Sequence, residues 1–191
     1  MRKICLILIL LGLNFSLAEA EILKIDDFDR CQKPSLISGD YGSWNRTEWD
    51  RSQYCNESYT SNPHIVYGGK GCSLQLDYDV DSPNPAYNGF WMRLEKINLN
   101  NYRNFVFFVK GDEKKGYTTR FKVELKSMKG DIARYEVEGI NSEWKKVVLP
   151  LGPALKEGDF SEAFEFTIVF DDQFVTQKKG RIYLDNIYLT N

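Results

Sequence analysis

From Ile22 onward the chain alternates apolar and polar residues with a period of two, the spacing of half-buried strands, and shows little helical periodicity. Ile22 to Phe28 reads as a first strand. Ser73 to Val80 puts Leu74, Leu76, Tyr78 and Val80 on one face, with Gln75, Asp77 and Asp79 on the other. Phe90 to Ile97 turns Phe90, Met92 and Leu94 inward and Trp91, Arg93 and Glu95 outward. Phe105 to Val109 is apolar on both faces, which predicts a central strand covered on both sides. In the second half Phe121, Val123 and Leu125 alternate with charged residues, as do Tyr135 and Val137 within Arg134 to Glu138. Trp144 to Leu149 is stopped by Pro150, Phe164 to Phe170 alternates again, and Arg181 to Leu189 closes the chain. With a short strand at Ile65-Val66-Tyr67 the count is roughly nine or ten. Separated by Gly- and Asp-containing turns such as 111–116 and 129–131, these strands predict an all-β two-sheet sandwich, or jelly roll. One short helical turn is expected within Pro153 to Phe160.

Arg30 to Pro63 breaks the pattern. It has little alternation, is rich in Ser, Asn, Gly and Asp, and carries Tyr41, Trp44, Trp49, Tyr54 and Tyr59. A loop of this length is uncommon in a compact domain and is often functional. The bland alternative is an insertion that covers a sheet edge.

The N-terminus changes the setting. Arg2 and Lys3 precede an apolar run, Ile4 to Leu13, and a small-x-small site at Ala18-Glu19-Ala20. Residues 1–20 therefore read as a signal peptide, and 21–191 as one exported domain, periplasmic or extracellular. The apolar run is shorter than a bilayer span requires, so no membrane span is expected after cleavage. A net charge of −2 without a basic stripe argues against a nucleic-acid partner. Of the cysteines, Cys31, Cys55 and Cys72 lie in the exported part, which predicts one disulfide and one leftover thiol; three pairings are open.

Catalytic signals are absent from the sequence. His64 is the lone histidine, beside Pro63, and there is no nucleophile elbow, zinc-binding histidine pair or phosphate-cradling glycine loop. Glycosidases need two carboxyls at set distances, and no spacing singles out such a pair. Calcium chemistry has more support. Asp26 and Asp27 end the first strand and Asp185 lies in the last; these strands are expected to be neighbours, so structural calcium is expected there, with Asp27 and Asp185 as principal ligands. The competing reading is that these acids are edge charges that discourage aggregation. Sugar rings offer flat C–H faces to Trp and Tyr and hydroxyls to charged or amide groups. Trp91, level with Arg93 and Glu95, is the foremost candidate; Trp44, Trp49 and Tyr41 form a second set, whereas Trp144 reads as packing.

Several segments in order resemble one group of proteins. These are Ile25-Asp26-Asp27-Phe28, Gly39-Asp40-Tyr41-Gly42-Ser43-Trp44, Tyr87-Asn88-Gly89-Phe90-Trp91, Leu99-Asn100-Asn101-Tyr102 before Phe105 to Asp112, Trp144 to Pro150 and Arg181 to Ile187. The chain resembles galactose-binding-like jelly rolls, above all the family-eleven carbohydrate-binding modules and the related complex I intermediate-associated protein domains. The resemblance spans roughly residues 22 to 189 and implies a concave sheet that serves as ligand groove, often with structural calcium. It favours a non-catalytic module that binds carbohydrate. The alternative is a protein-binding assembly or scaffold domain, since one fold hosts many functions.

Overall fold

An aromatic layer separates two antiparallel sheets in the computed structural model, which describes residues 22–47 and 49–191. The expected signal peptide lies outside the described residues. In chain order the strands are β1 (Ile22–Asp26), β2 (Tyr41–Asn45), β3 (Tyr54–Thr60), β4 (Ser73–Asp79), β5 (Tyr87–Ile97) and β6 (Asn104–Gly111). They continue with β7 (Arg120–Ser127), β8 (Ile132–Glu138), β9 (Lys145–Pro150), β10 (Ala163–Asp171) and β11 (Lys179–Thr190). One sheet runs β3-β4-β11-β6-β9, with β1 also on β11; the other runs β2-β5-β10-β7-β8. The fold is the all-β jelly-roll sandwich that the alternation predicts.

The inward residues of both sheets meet as a layer of rings. Phe166 of β10 lies 4.8 Å from Phe105, 5.7 Å from Phe107 and 6.3 Å from Phe90, and Tyr78 stacks on Phe170 at 4.1 Å. All six are completely enclosed. Burying each such side chain is worth roughly 1.5–3 kcal/mol, so this layer fixes which face of every strand looks outward. β6 is covered on both sides as expected. Phe105 and Phe107 face the core, while Phe108 carries the Tyr67 ring at 4.2 Å. Trp144 packs edge-on against Tyr67 and donates from Nε1 to the Ile65 carbonyl, a packing role as read from the sequence.

First and last strands are neighbours, with Ile22 opposite Thr190 and Lys24 opposite Tyr188. β11 pairs β4 over Lys179–Leu184 and β1 over Ile187–Thr190. The change of partner falls at Asp185 and Asn186, where the register shifts and Asn186 takes a φ of 44°.

Three expectations need correction. The stretch from Arg30 to Pro63 is no continuous loop, since it contains the edge strands β2 and β3. Ile65-Val66-Tyr67 forms no strand; a 3-10 turn spans Tyr67–Gly69, because Gly68 and Gly69 take φ of 73° and 74° and break an extended path. The short helical turn begins earlier than expected, at Leu151–Ala154 (α1). A disulfide joins Cys31 to Cys72, 41 positions apart, and Cys55 is a buried free thiol. The bridge ties the segment after β1 to the start of β4.

Replacing both Cys31 and Cys72 by serine removes that constraint on the unfolded chain. A loop of this length is worth roughly 3–4 kcal/mol by chain entropy. Urea unfolding of the double variant should show a loss of that order.

Candidate functional site

The outward face of the β2-β5-β10-β7-β8 sheet forms a groove of about 1040 Å³. Its walls follow from strand parity. Because Phe90 and Met92 point into the core, Trp91 and Arg93 must point out; Phe121, Val123 and Leu125 likewise send Lys122, Glu124 and Lys126 outward.

β2 and β5 supply an aromatic wall. Trp91 stands opposite Gly42, and Trp44 opposite Gly89. Each indole lies over the glycine of the neighbouring strand. A Cβ at Gly42 would come within 3.3 Å of the Trp91 ring, and one at Gly89 within 3.3 Å of Trp44 Nε1 and 1.8 Å of the Ile168 carbonyl. The missing side chains let the rings settle on the sheet surface. Tyr87 follows along β5, edge-on to Trp44 at 5.8 Å. Trp91, Trp44 and Tyr87 thus line up along the strand direction.

β10, β7 and β8 supply a charged floor. Across the strands Trp91 is level with Thr167, Glu124 and Arg134, while Arg93 is level with Glu165, Lys126 and Ile132. Glu165 accepts from Arg93 at 2.9 Å and from Lys126 at 2.9 Å; Glu124 accepts from Arg134 at 3.1 Å; Lys122 meets Asp171 at 2.7 Å. The Arg93 guanidinium also sits 5.0 Å from the Trp91 ring and 3.9 Å from that of Phe164. Single exposed pairs of this kind contribute little stability. Linked across four strands, they hold donors and acceptors at fixed positions beside flat rings. Such a surface can stack an apolar face and hydrogen-bond hydroxyls around it. Against its partial burial, the bond from Lys122 holds the Asp171 carboxyl below the usual carboxylate range. Burial instead pushes up Asp26, to about 6, and Asp185, to about 7, and both belong to the other sheet.

The structure brings together Trp91, Arg93 and Trp44 of the residues expected from sequence, and separates the rest. Tyr41 is fully enclosed and packs on Phe28 and Phe90. Its hydroxyl meets that of Tyr59 at 2.6 Å, so Tyr41 is a core residue. Glu95 lies outside the groove lining because Glu95 and Lys96 take φ of 49° and 62° and throw the strand out of alternation. Trp49 is 92% exposed and also lies outside the lining. Glu165, Lys126, Glu124, Lys122 and Asp171 join the groove although no local motif marks them, and so does Tyr87, which opens one of the segments that carry the family resemblance. Their outward parity is readable in the sequence, but the cross-strand register that gathers them is not.

Asp26, Asp27 and Asp185 do not converge. Among the described residues no three acids, histidines or cysteines gather as a metal cluster. Asp27 pairs with Lys24 at 3.1 Å, and Asp26 accepts from the Phe28 amide. Asp185 differs. It is 1% exposed, accepts from the Ser73 hydroxyl and the Asn186 amide, and feels the charge of Asp29, which lies against Gly71. The Asp185 carboxylate lies at the point where β11 changes partner.

No protein-family model and no curated protein matches the sequence. Solved structures do match its fold. The family 11 carbohydrate-binding module of the cellulosomal cellulase Lic26A-Cel5E of Clostridium thermocellum is 18% identical, with a TM-score of 0.61 over 88% of this chain and 94% of that one. The Clostridium thermocellum family 11 module in complex with a beta-1,3-1,4-mixed-linked tetrasaccharide is 17% identical, with a TM-score of 0.62 over the same shares. TmCBM27, a carbohydrate-binding module described for specific mannan recognition, is 12% identical, with a TM-score of 0.52 over 91% of this chain and 99% of that one. The chain therefore has the jelly-roll fold of the family 11 carbohydrate-binding modules.

Proposed function

We propose that this protein is an exported, non-catalytic binding module that holds a carbohydrate in the groove of the β2-β5-β10-β7-β8 sheet. The observation that carries the reading is the pair of indoles, Trp91 and Trp44, laid over Gly42 and Gly89 beside a fixed set of charged donors and acceptors. Rings in this position offer faces to a pyranose, and Arg93, Lys126, Glu124 and Glu165 suit its hydroxyls. The likeness to carbohydrate-binding modules and the Cys31–Cys72 disulfide support the same reading and an oxidising location.

Affinity electrophoresis of residues 21–191 through mixed-linkage β-glucan, mannan and galactan tests it. Retardation is expected in at least one gel. Trp91→Ala should weaken that binding roughly thirtyfold, as losing about 2 kcal/mol at a binding hot spot does. Unretarded migration in all three gels, with calcium present, would count against the reading.

We further propose that calcium occupies the Asp185 region, with the Ser73 hydroxyl, which bonds Asp185, and Asp29, whose charge acts on it, as further oxygen donors. Asp185 in the folded state holds its proton up to about pH 7, against 3.8 ordinarily, so without a cation the folded state binds more protons than the unfolded one between these values. Stability contributed by this group therefore falls as pH rises through that window. In thermal melts at pH 7.5, saturating calcium should raise Tm by roughly 5 °C over EDTA. The gain should shrink at pH 5 and vanish in Asp185→Asn. Equal melting with calcium and EDTA at pH 7.5 would reject the cation.

A further inference from the structure

Trp49 is the most exposed large apolar side chain among the described residues, at 92%. An indole left in water is ordinary on a floppy tip, but this one stands on a loop tied down from several sides. The Asp50 carboxylate accepts from the Ser52 amide at 3.0 Å, from Gln53 Nε2 at 2.9 Å, from the Ser82 hydroxyl at 2.8 Å and from Asn84 Nδ2 at 3.4 Å. The Ser52 hydroxyl, which also bonds Asp50, together with Gln53 and Ser82 holds its carboxyl well below the usual carboxylate range. Ser82 and Asn84 belong to the segment that leads into β5, so the Trp49 loop is bound to the chain that presents Tyr87.

A second tether acts from the other side of Trp49. The Arg46 amide donates to the Tyr87 carbonyl at 3.0 Å, its guanidinium donates to the Pro85 carbonyl, and the same guanidinium lies 5.2 Å from the Tyr87 ring. Trp49 follows Arg46 by three positions and is therefore tethered within about 10 Å of chain of the contacts that bind Arg46 to Tyr87. Trp91, Trp44 and Tyr87 already line up along β2 and β5.

We propose that Trp49 is an outer stacking platform on which a saccharide chain continues after leaving the groove past Tyr87, so that the binding site is longer than the groove. This rests on the carbohydrate reading of the groove. It assigns the chain a direction, along β5 rather than across the sheet, and predicts affinity that keeps growing with chain length after the groove is full. Pre-fixing the loop means that little ordering cost opposes the contact.

Calorimetric titration of wild type, Trp49→Ala, Trp49→Phe and Trp91→Ala tests it, with cello-, manno- and β-1,4-galacto-oligosaccharides from disaccharide to octasaccharide. Trp49→Ala should bind the shorter members like wild type and lose roughly fivefold on the longest. Trp49→Phe should restore most of that loss. Trp91→Ala should be weak at every length. If wild type binds but Trp49→Ala matches it at every length, the outer platform falls and the groove reading stands. The platform also falls, with the groove reading intact, if Trp49→Ala weakens all lengths equally. If wild type binds none of the series and no longer polysaccharide, both fall together.

Discussion

The contact between the inner faces of the two sheets governs everything else in this molecule. Phe166 touches rings from β5 and β6 at once, and Tyr78 lies flat on Phe170. A strand that commits alternate residues to this layer has no freedom over the remaining ones, which must stand on the opposite surface. The groove is the other side of that commitment. Trp91 is outward because Phe90 and Met92 are inward, and the same logic places Lys122, Glu124 and Lys126.

Much of this is legible in the sequence, and what is not legible has physical causes. A long strand with a clean alternation, such as β7, announces itself. β2 does not, because five residues with Gly, Ser and Asn among them carry too little pattern. Its parity separates two of the expected site residues: Tyr41 and Trp44 are three apart, so on one strand they cannot share a face, and an outward Trp44 requires an inward Tyr41. Glu95 escapes the simple alternation because two consecutive left-handed residues end it two positions past Arg93. The first and last strands are neighbours, as expected, yet their adjacency does not bring the carboxylates to a common point. Register and bulges, which set such convergence, arise from pairing between distant segments and leave little trace in any one of them.

The groove divides its tasks between its two halves. The β2–β5 side offers ring faces, which in the proposed carbohydrate reading would bind by area and tolerate different sugars. The β10, β7 and β8 side offers charged groups whose partners fix their directions, and in the same reading these would discriminate among hydroxyl arrangements. Arg93 joins the halves, lying near the Trp91 and Phe164 rings while bonding Glu165. Arg93, Lys122, Lys126 and Arg134 are already engaged by carboxylates, so a ligand of the proposed kind would meet a surface arranged before it arrives, at small ordering cost.

Gly42 and Gly89 carry a consequence of their own. Both indoles rest where a neighbouring strand has nothing to hold them off, and at Gly89 even a methyl group would collide with the Ile168 carbonyl. The tilt of each ring is thus encoded one strand away, by an empty position rather than by the tryptophan itself. If the groove binds as proposed, recognition would be lost with every aromatic residue intact by the gain of a single small side chain at either glycine, a position that no ligand would touch.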